Sequence, residues 1–279
     1  MMNSLPLQFV NVGPQRTGTS WLHVRLQEHP SICLPHQVKE TMFFDRDYDK
    51  GIAWYADYFS HRRPHQICGE IAPTYFDVTE VPARIRAVNP QCKIIIQLRH
   101  PVQRALSLYH HHLSKGRVSG SFSEAILQMP RIVEAGQYCR HICRWLDTFG
   151  ADQVMFILLD DIESSPQQLL ERLYHFLHLQ PVEMSNTGFE KVGAATLPRY
   201  PWLAKWAAQS ATWLRSQRLH TVAELGKAIG LKRIYTGNSH ELPLLSDREQ
   251  SHLLEQYSKD IDFVETLLGR DLSAWRKPS

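Results

Sequence analysis

The sequence predicts a three-layer α/β fold: a parallel β-sheet with helices on both faces. Three observations carry this. Short apolar runs of strand length recur along the chain, helical patterns separate them, and the first run passes through a turn-rich segment straight into a helix. Runs that are apolar at nearly every position suit strands covered on both sides, as in a parallel sheet with helical crossovers.

The first strand is 7–12 (LQFVNV), followed by the turn segment 13–18 and a helical stretch over 19–28. Further strands are expected at 67–71, 93–98 (KIIIQL) and 153–159 (QVMFILL). Helical patterns fall at 81–88, 101–114, 123–128, 136–149 and 166–177, and a last helix at 247–268 stops at Gly269, a suitable C-cap. Ligands of such sheets bind beyond the carboxyl ends of the strands.

With 279 residues and 43% apolar content the chain can bury one large core, and no linker divides it, so a single domain over 1–279 is expected. A formal net charge of +3 is too small to suggest bulk nucleic-acid binding. Five cysteines, an odd number set mostly in apolar or helical runs, argue against a disulfide framework and for a reducing compartment. Residues 1–12 lack the basic start of a signal peptide, and no stretch approaches the roughly 18 apolar residues of a membrane span. A cytoplasmic location is expected. Cys139 and Cys143 stand one helical step apart without a partner pair, so no metal site is expected.

The segment 196–233 differs in character. It holds seven Lys/Arg against one acid, Glu224, with three tryptophans interleaved. A basic, Trp-containing helical cap or lid over about 196–240 is expected. It either packs on the sheet or faces an acidic or peripheral-membrane substrate.

Gly13-Pro14-Gln15-Arg16-Thr17-Gly18-Thr19-Ser20 has the glycine spacing of a phosphate loop between a strand and a helix. Its backbone amides and the helix N-terminus would cradle an anion. A nucleotide-hydrolysing loop places Lys directly after the second glycine; here that residue is Thr19, and the cation comes earlier, at Arg16. A metal-free cradle for one terminal anion suits a phosphosulfate better than a triphosphate.

At these residues the chain resembles a family. PQRTGTSWL is similar to the 5′-phosphosulfate loop of sulfotransferases that use 3′-phosphoadenosine 5′-phosphosulfate (PAPS), with Arg16 where the family usually has Lys. The resemblance implies that Arg16, Thr17, Gly18, Thr19 and Ser20 hold the phosphosulfate, Arg16 stabilising charge without giving up a proton. Trp21 either stacks on the adenine or packs on the sheet. Arg99 follows KIIIQL and Ser107 comes eight residues later, a pattern similar to the family's 3′-phosphate grip. Arg104 reads as a solvated helix arginine or a salt-bridge partner.

The segment Lys39-Glu40-Thr41-Met42-Phe43-Phe44-Asp45 resembles the KExxFF segment of heparan-sulfate-type sulfotransferases, which implies Glu40 as the catalytic base and the P-loop-like sulfotransferase fold. Phe43 and Phe44 would raise the Glu40 pKa by desolvation. Gly51-Ile52-Ala53-Trp54-Tyr55, Ala72-Pro73-Thr74-Tyr75-Phe76 and the helix carrying Gly136, Tyr138, His141 and Trp145 continue the likeness over about 7–180. By the same resemblance His111 is a secondary acid/base or sulfuryl contact. The family's C-terminal disulfide loop is missing, and Arg199 is a replacement contact for the phosphates.

The expected activity is transfer of a sulfuryl group from PAPS to a hydroxyl or amine of a saccharide, glycolipid or natural product, releasing PAP without a metal. The alternatives are a P-loop kinase and a non-catalytic protein that binds nucleotide or acidic glycan.

Overall fold

The structure is a computed structural model that describes residues 7–183 and 242–278. In chain order the elements are β1 (Leu7–Gly13), α1 (Thr19–Gln27), β2 (Ile32–Cys33), α2 (Ile52–Ala56), β3 (Ile67–Ile71), α3 (Val81–Val88), β4 (Lys93–Leu98) and α4 (Pro101–Ser114). There follow α5 (Phe122–Gln128), α6 (Arg131–Glu134), α7 (Tyr138–Phe149), β5 (Val154–Leu158), α8 (Leu159–Ser164), α9 (Pro166–Phe176) and α10 (Asp247–Leu268). The described chain gathers into two compact units, one from residues 7–101, 137–183 and 259–275 and one from 102–136, 242–258 and 276–278.

The first unit holds the sheet, in the order β2-β3-β1-β4-β5, with every pairing parallel. One face buries Phe9, Ile71, Ile95 and Ile157 against Leu22 and Leu26 of α1, Ile162 of α8 and Leu169, Leu170 and Leu173 of α9. Side chains alternate along a strand, so Val10, Ile94 and Ile96 point the other way, and they too are fully buried. Both faces are therefore covered, which is why these strands read as continuous apolar runs. On β3, Gly69 lies under the Phe9 ring, where an added Cβ would meet the ring at 2.1 Å.

Element ends moved by a residue or two from the sequence expectation. The run 153–159 ends earlier as a strand: Leu159 already opens α8, whose first turn carries Asp160 and Asp161 at its positive end. The two-residue β2 and the short α2 lie below the length at which periodicity is visible. All five cysteines are free thiols.

In the second unit, α5 begins with a capping box: Ser121 Oγ accepts from the Glu124 N–H and Glu124 accepts from the Ser121 N–H. Arg104 corrects the expectation of a solvated arginine. It is fully buried and donates from Nη2 to the Ile132 carbonyl at 2.7 Å, tying α4 to α6.

Candidate functional site

The loop from β1 to α1 takes left-handed backbone values at Gly13 (φ +90°), Arg16 (φ +73°) and Gly18 (φ +92°). At Gly13 a Cβ would lie 2.6 Å from Cα of Pro73, so that position needs glycine for space as well as for conformation; at Gly18 the need is conformational, since the nearest atom is the flexible end of Ile162. Buried Thr17 closes the turn, donating from Oγ1 to the Pro14 carbonyl at 2.7 Å. Beneath it runs a buried amide chain. Gln97 Nε2 donates to the Thr17 carbonyl (3.2 Å), Asn11 Nδ2 donates to Gln97 Oε1 (2.7 Å), and Asn11 Oδ1 accepts from the Gly13 N–H (3.1 Å). Two side chains pointing up from β1 and β4 thus fix the loop at both ends.

Arg16 is a non-glycine residue held at positive φ, a conformation that persists only where the surroundings enforce it. Arg99, at the carboxyl end of β4, donates from Nη1 to the Arg16 carbonyl at 3.4 Å, while its own carbonyl accepts from the Tyr138 hydroxyl at 2.7 Å. The Arg16 pKa is lowered by burial and then by the Arg99 cation. Lys39 joins them: Nζ donates to Thr19 Oγ1 (3.3 Å) and Ser20 Oγ (3.2 Å) and lies 3.7 Å from Glu40 Oε1. Burial lowers the Lys39 pKa, the Glu40 carboxylate raises it and Arg16 lowers it again. The same lysine, after burial, holds His23 down at about 4, so that imidazole is neutral at pH 7. Arg16, Arg99, Lys39, Thr19, Ser20 and Glu40 therefore form one cluster, in which like charges gathered at a helix N-terminus favour an anion.

Trp21 is half-buried against the core cluster under α1. Ser107 and His111 are half-buried on α4, in the second unit, where the His111 ring meets His112 edge-on at 5.5 Å. Arg199 and the expected cap over 196–240 lie outside the described residues. Among the described residues no group of His, Cys, Asp or Glu is arranged to hold a metal ion, and no helix is long and apolar enough to cross a membrane.

The apolar side chains next to Glu40 in sequence enclose another carboxyl. Phe43 and Phe44 are buried, Phe43 stacking on Tyr55 at 4.6 Å and Phe44 meeting Tyr75 edge-on at 5.8 Å. In that cluster sits fully buried Glu70 of β3, its pKa raised to about 7 by desolvation against the opposing pull of its hydrogen bonds. Sequence reasoning missed Glu70 and gave Lys39 no role of its own. The signal for Glu70 was available: a carboxylate inside the apolar strand ICGEI must be paired or protonated. A groove of about 730 Å³ lined in part by Arg86, Arg140, Cys143 and Arg144 shares no residue with the cluster.

Residues 7–211 match the family described as "Sulfotransferase domain". Among curated proteins, human heparan sulfate glucosamine 3-O-sulfotransferase 3B1 is 33% identical over 184 residues, covering 63% of this chain and 47% of that protein. Human bifunctional heparan sulfate N-deacetylase/N-sulfotransferase 2 is 31% identical over 195 residues, covering 62% of this chain and 22% of that protein. The chain thus spans less than half the length of these relatives. A sulfotransferase from Alicyclobacillus acidocaldarius, solved as a crystal structure, superposes with a TM-score of 0.69 at 23% identity, over 97% of this chain and 99% of that one, a likeness of fold. With most of its length matched to that domain, the chain belongs to the sulfotransferase family.

Proposed function

We propose that this chain transfers a sulfuryl group from PAPS to a hydroxyl or amine of a saccharide acceptor, with Glu40 as the base. The observation that carries the reading is the convergence of Arg16, Arg99 and Lys39 on the loop before α1, with Glu40 3.7 Å from Lys39. Three cations and a helix N-terminus suit a nucleotide bearing several negative charges. The 5′-phosphosulfate would lie in the 16–20 loop and the 3′-phosphate on Arg99, with Trp21 as a further donor contact. A saccharide acceptor draws its support from the heparan sulfate relatives.

In the reaction the acceptor oxygen or nitrogen forms a bond to sulfur as the bond from sulfur to the bridging phosphate oxygen breaks, in line. The acceptor's proton passes to the Glu40 carboxylate, and the electron pair of the broken bond leaves on PAP. Arg16 and Lys39 stabilise the charge growing on the bridging oxygen, with His111 as a secondary contact to the sulfuryl group. The five free thiols fit a reducing compartment such as the cytoplasm.

The test is Glu40→Gln, assayed for sulfated product by mass spectrometry and for PAP affinity by calorimetry. Turnover is expected to vanish while PAP affinity stays. Unchanged turnover would overturn the assignment of the base, and a wild-type chain that prefers ATP to PAP would overturn the donor.

A further inference from the structure

We propose that Glu70 is the residue that positions Glu40, holding the segment that carries the base to the central sheet. The proposal rests on the reading of Glu40 as the base. Glu70 stands on β3 between β2 and β1, and its carboxyl is turned away from solvent. Its Oε1 accepts from the Thr41 N–H at 2.7 Å and from Thr41 Oγ1 at 2.6 Å, and its Oε2 accepts from the hydroxyls of Tyr55 (2.9 Å) and Tyr75 (3.3 Å).

These bonds act on Glu40 through the backbone. The Thr41 N–H and the Glu40 Cα lie in one rigid peptide plane, so anchoring the first restricts the second to rotation about its own bonds. The anchoring continues downstream. Thr41 Oγ1 accepts from the Phe43 N–H (3.2 Å) and the Tyr75 hydroxyl accepts from the Phe44 N–H (3.2 Å), while Met42 between them turns at φ +58°. One carboxyl and two tyrosines thus define residues 41–44 from below, while Glu40, immediately upstream, is half-buried at the cluster with Lys39.

A carboxyl this deep is costly unless its bonds are worth more than an apolar side chain in its place. The groups around it are Thr41, Tyr55, Tyr75 and the Asp45 carboxylate, whose charge opposes its ionisation, with Cys92 beyond Tyr55. A fixed acceptor on a strand holds a functional side chain more tightly than a loop can alone.

The experiment compares Glu70→Leu with Glu70→Gln. Gln keeps an oxygen for Thr41 and turns its amide toward the tyrosine hydroxyls, which can accept. Leu removes the anchor. Glu70→Leu is expected to lower kcat on the order of 10²-fold, the scale of a misplaced reacting group, with PAP affinity by calorimetry unchanged, and Glu70→Gln is expected to restore kcat to within about threefold of wild type. Should Glu70→Leu fail to fold, Thr41→Val against Thr41→Ser tests the hydroxyl half of the anchor, the Thr41 N–H bond to Glu70 staying in both, with a smaller loss of kcat and its rescue expected in that order. A folded Glu70→Leu or Thr41→Val with wild-type kcat would overturn the proposal, as would kcat and PAP affinity falling together. Turnover surviving in Glu40→Gln strikes the base assignment instead, so the two failures are distinct.

Discussion

Replacing Gln97 by leucine tests whether the phosphate loop is held by the amide chain beneath it. Gln97 is fully buried, gives a hydrogen bond to the Thr17 carbonyl and takes one from Asn11. Leucine has nearly the same volume, so no cavity opens, but the Thr17 carbonyl and Asn11 Nδ2 are left buried without those partners. Each orphaned group costs about 1–3 kcal/mol. Burial of the leucine side chain returns about 1.5–3 kcal/mol. The net loss is therefore about 2 kcal/mol, seen as a lower urea midpoint at unchanged m-value. PAP affinity should fall as well, because the carbonyl released is that of the loop itself. In a cycle with Asn11→Leu the two substitutions should couple by about 0.5–3 kcal/mol, since they share one bond. A Gln97→Leu loss below about 0.5 kcal/mol, the level of a surface change, would refute the reasoning.

Gly13→Ala places a methyl 2.6 Å from the Pro73 backbone at a positive φ, and should destabilise by about 2–4 kcal/mol in denaturant unfolding. Glu70 makes stability depend on pH in a defined sense. Its folded pKa, about 7, is above the ordinary 4.5, so the native state holds the proton more tightly. That contribution is complete below pH 4.5 and is lost as pH rises through about 7, at about 1.4 kcal/mol per pKa unit. Urea titrations of Glu70→Gln should lack this downward slope. Arg99→Ala should weaken PAP binding by about 1.5–3 kcal/mol and erase the preference for PAP over AMP, while the bond from the Tyr138 hydroxyl to the backbone carbonyl of residue 99 is kept and the side chain's own bond to the Arg16 carbonyl is lost.

Most of the sheet was legible because β1, β3 and β4 are mainly apolar runs buried on both faces and helical periodicity separates them. The phosphate loop was legible because two glycines at fixed spacing serve a turn with positive φ at both, and the Pro73 backbone leaves no room for a side chain at Gly13. Arg104 was misread because a charged residue on an amphipathic helix looks solvated until a carbonyl such as that of Ile132 is found facing it.

The sequence by itself determined four of the five strands, the longer helices between them and the glycine spacing of the loop, since each depends on neighbours a few residues away; the candidate base came from the family resemblance. Only the tertiary structure decided that Lys39 meets Ser20, that Arg99 reaches the Arg16 carbonyl and that Glu70 carries Thr41. Those contacts join residues 19, 83 and 29 positions apart, and their pairing follows from the order in which the parallel strands assemble, which local pattern does not encode.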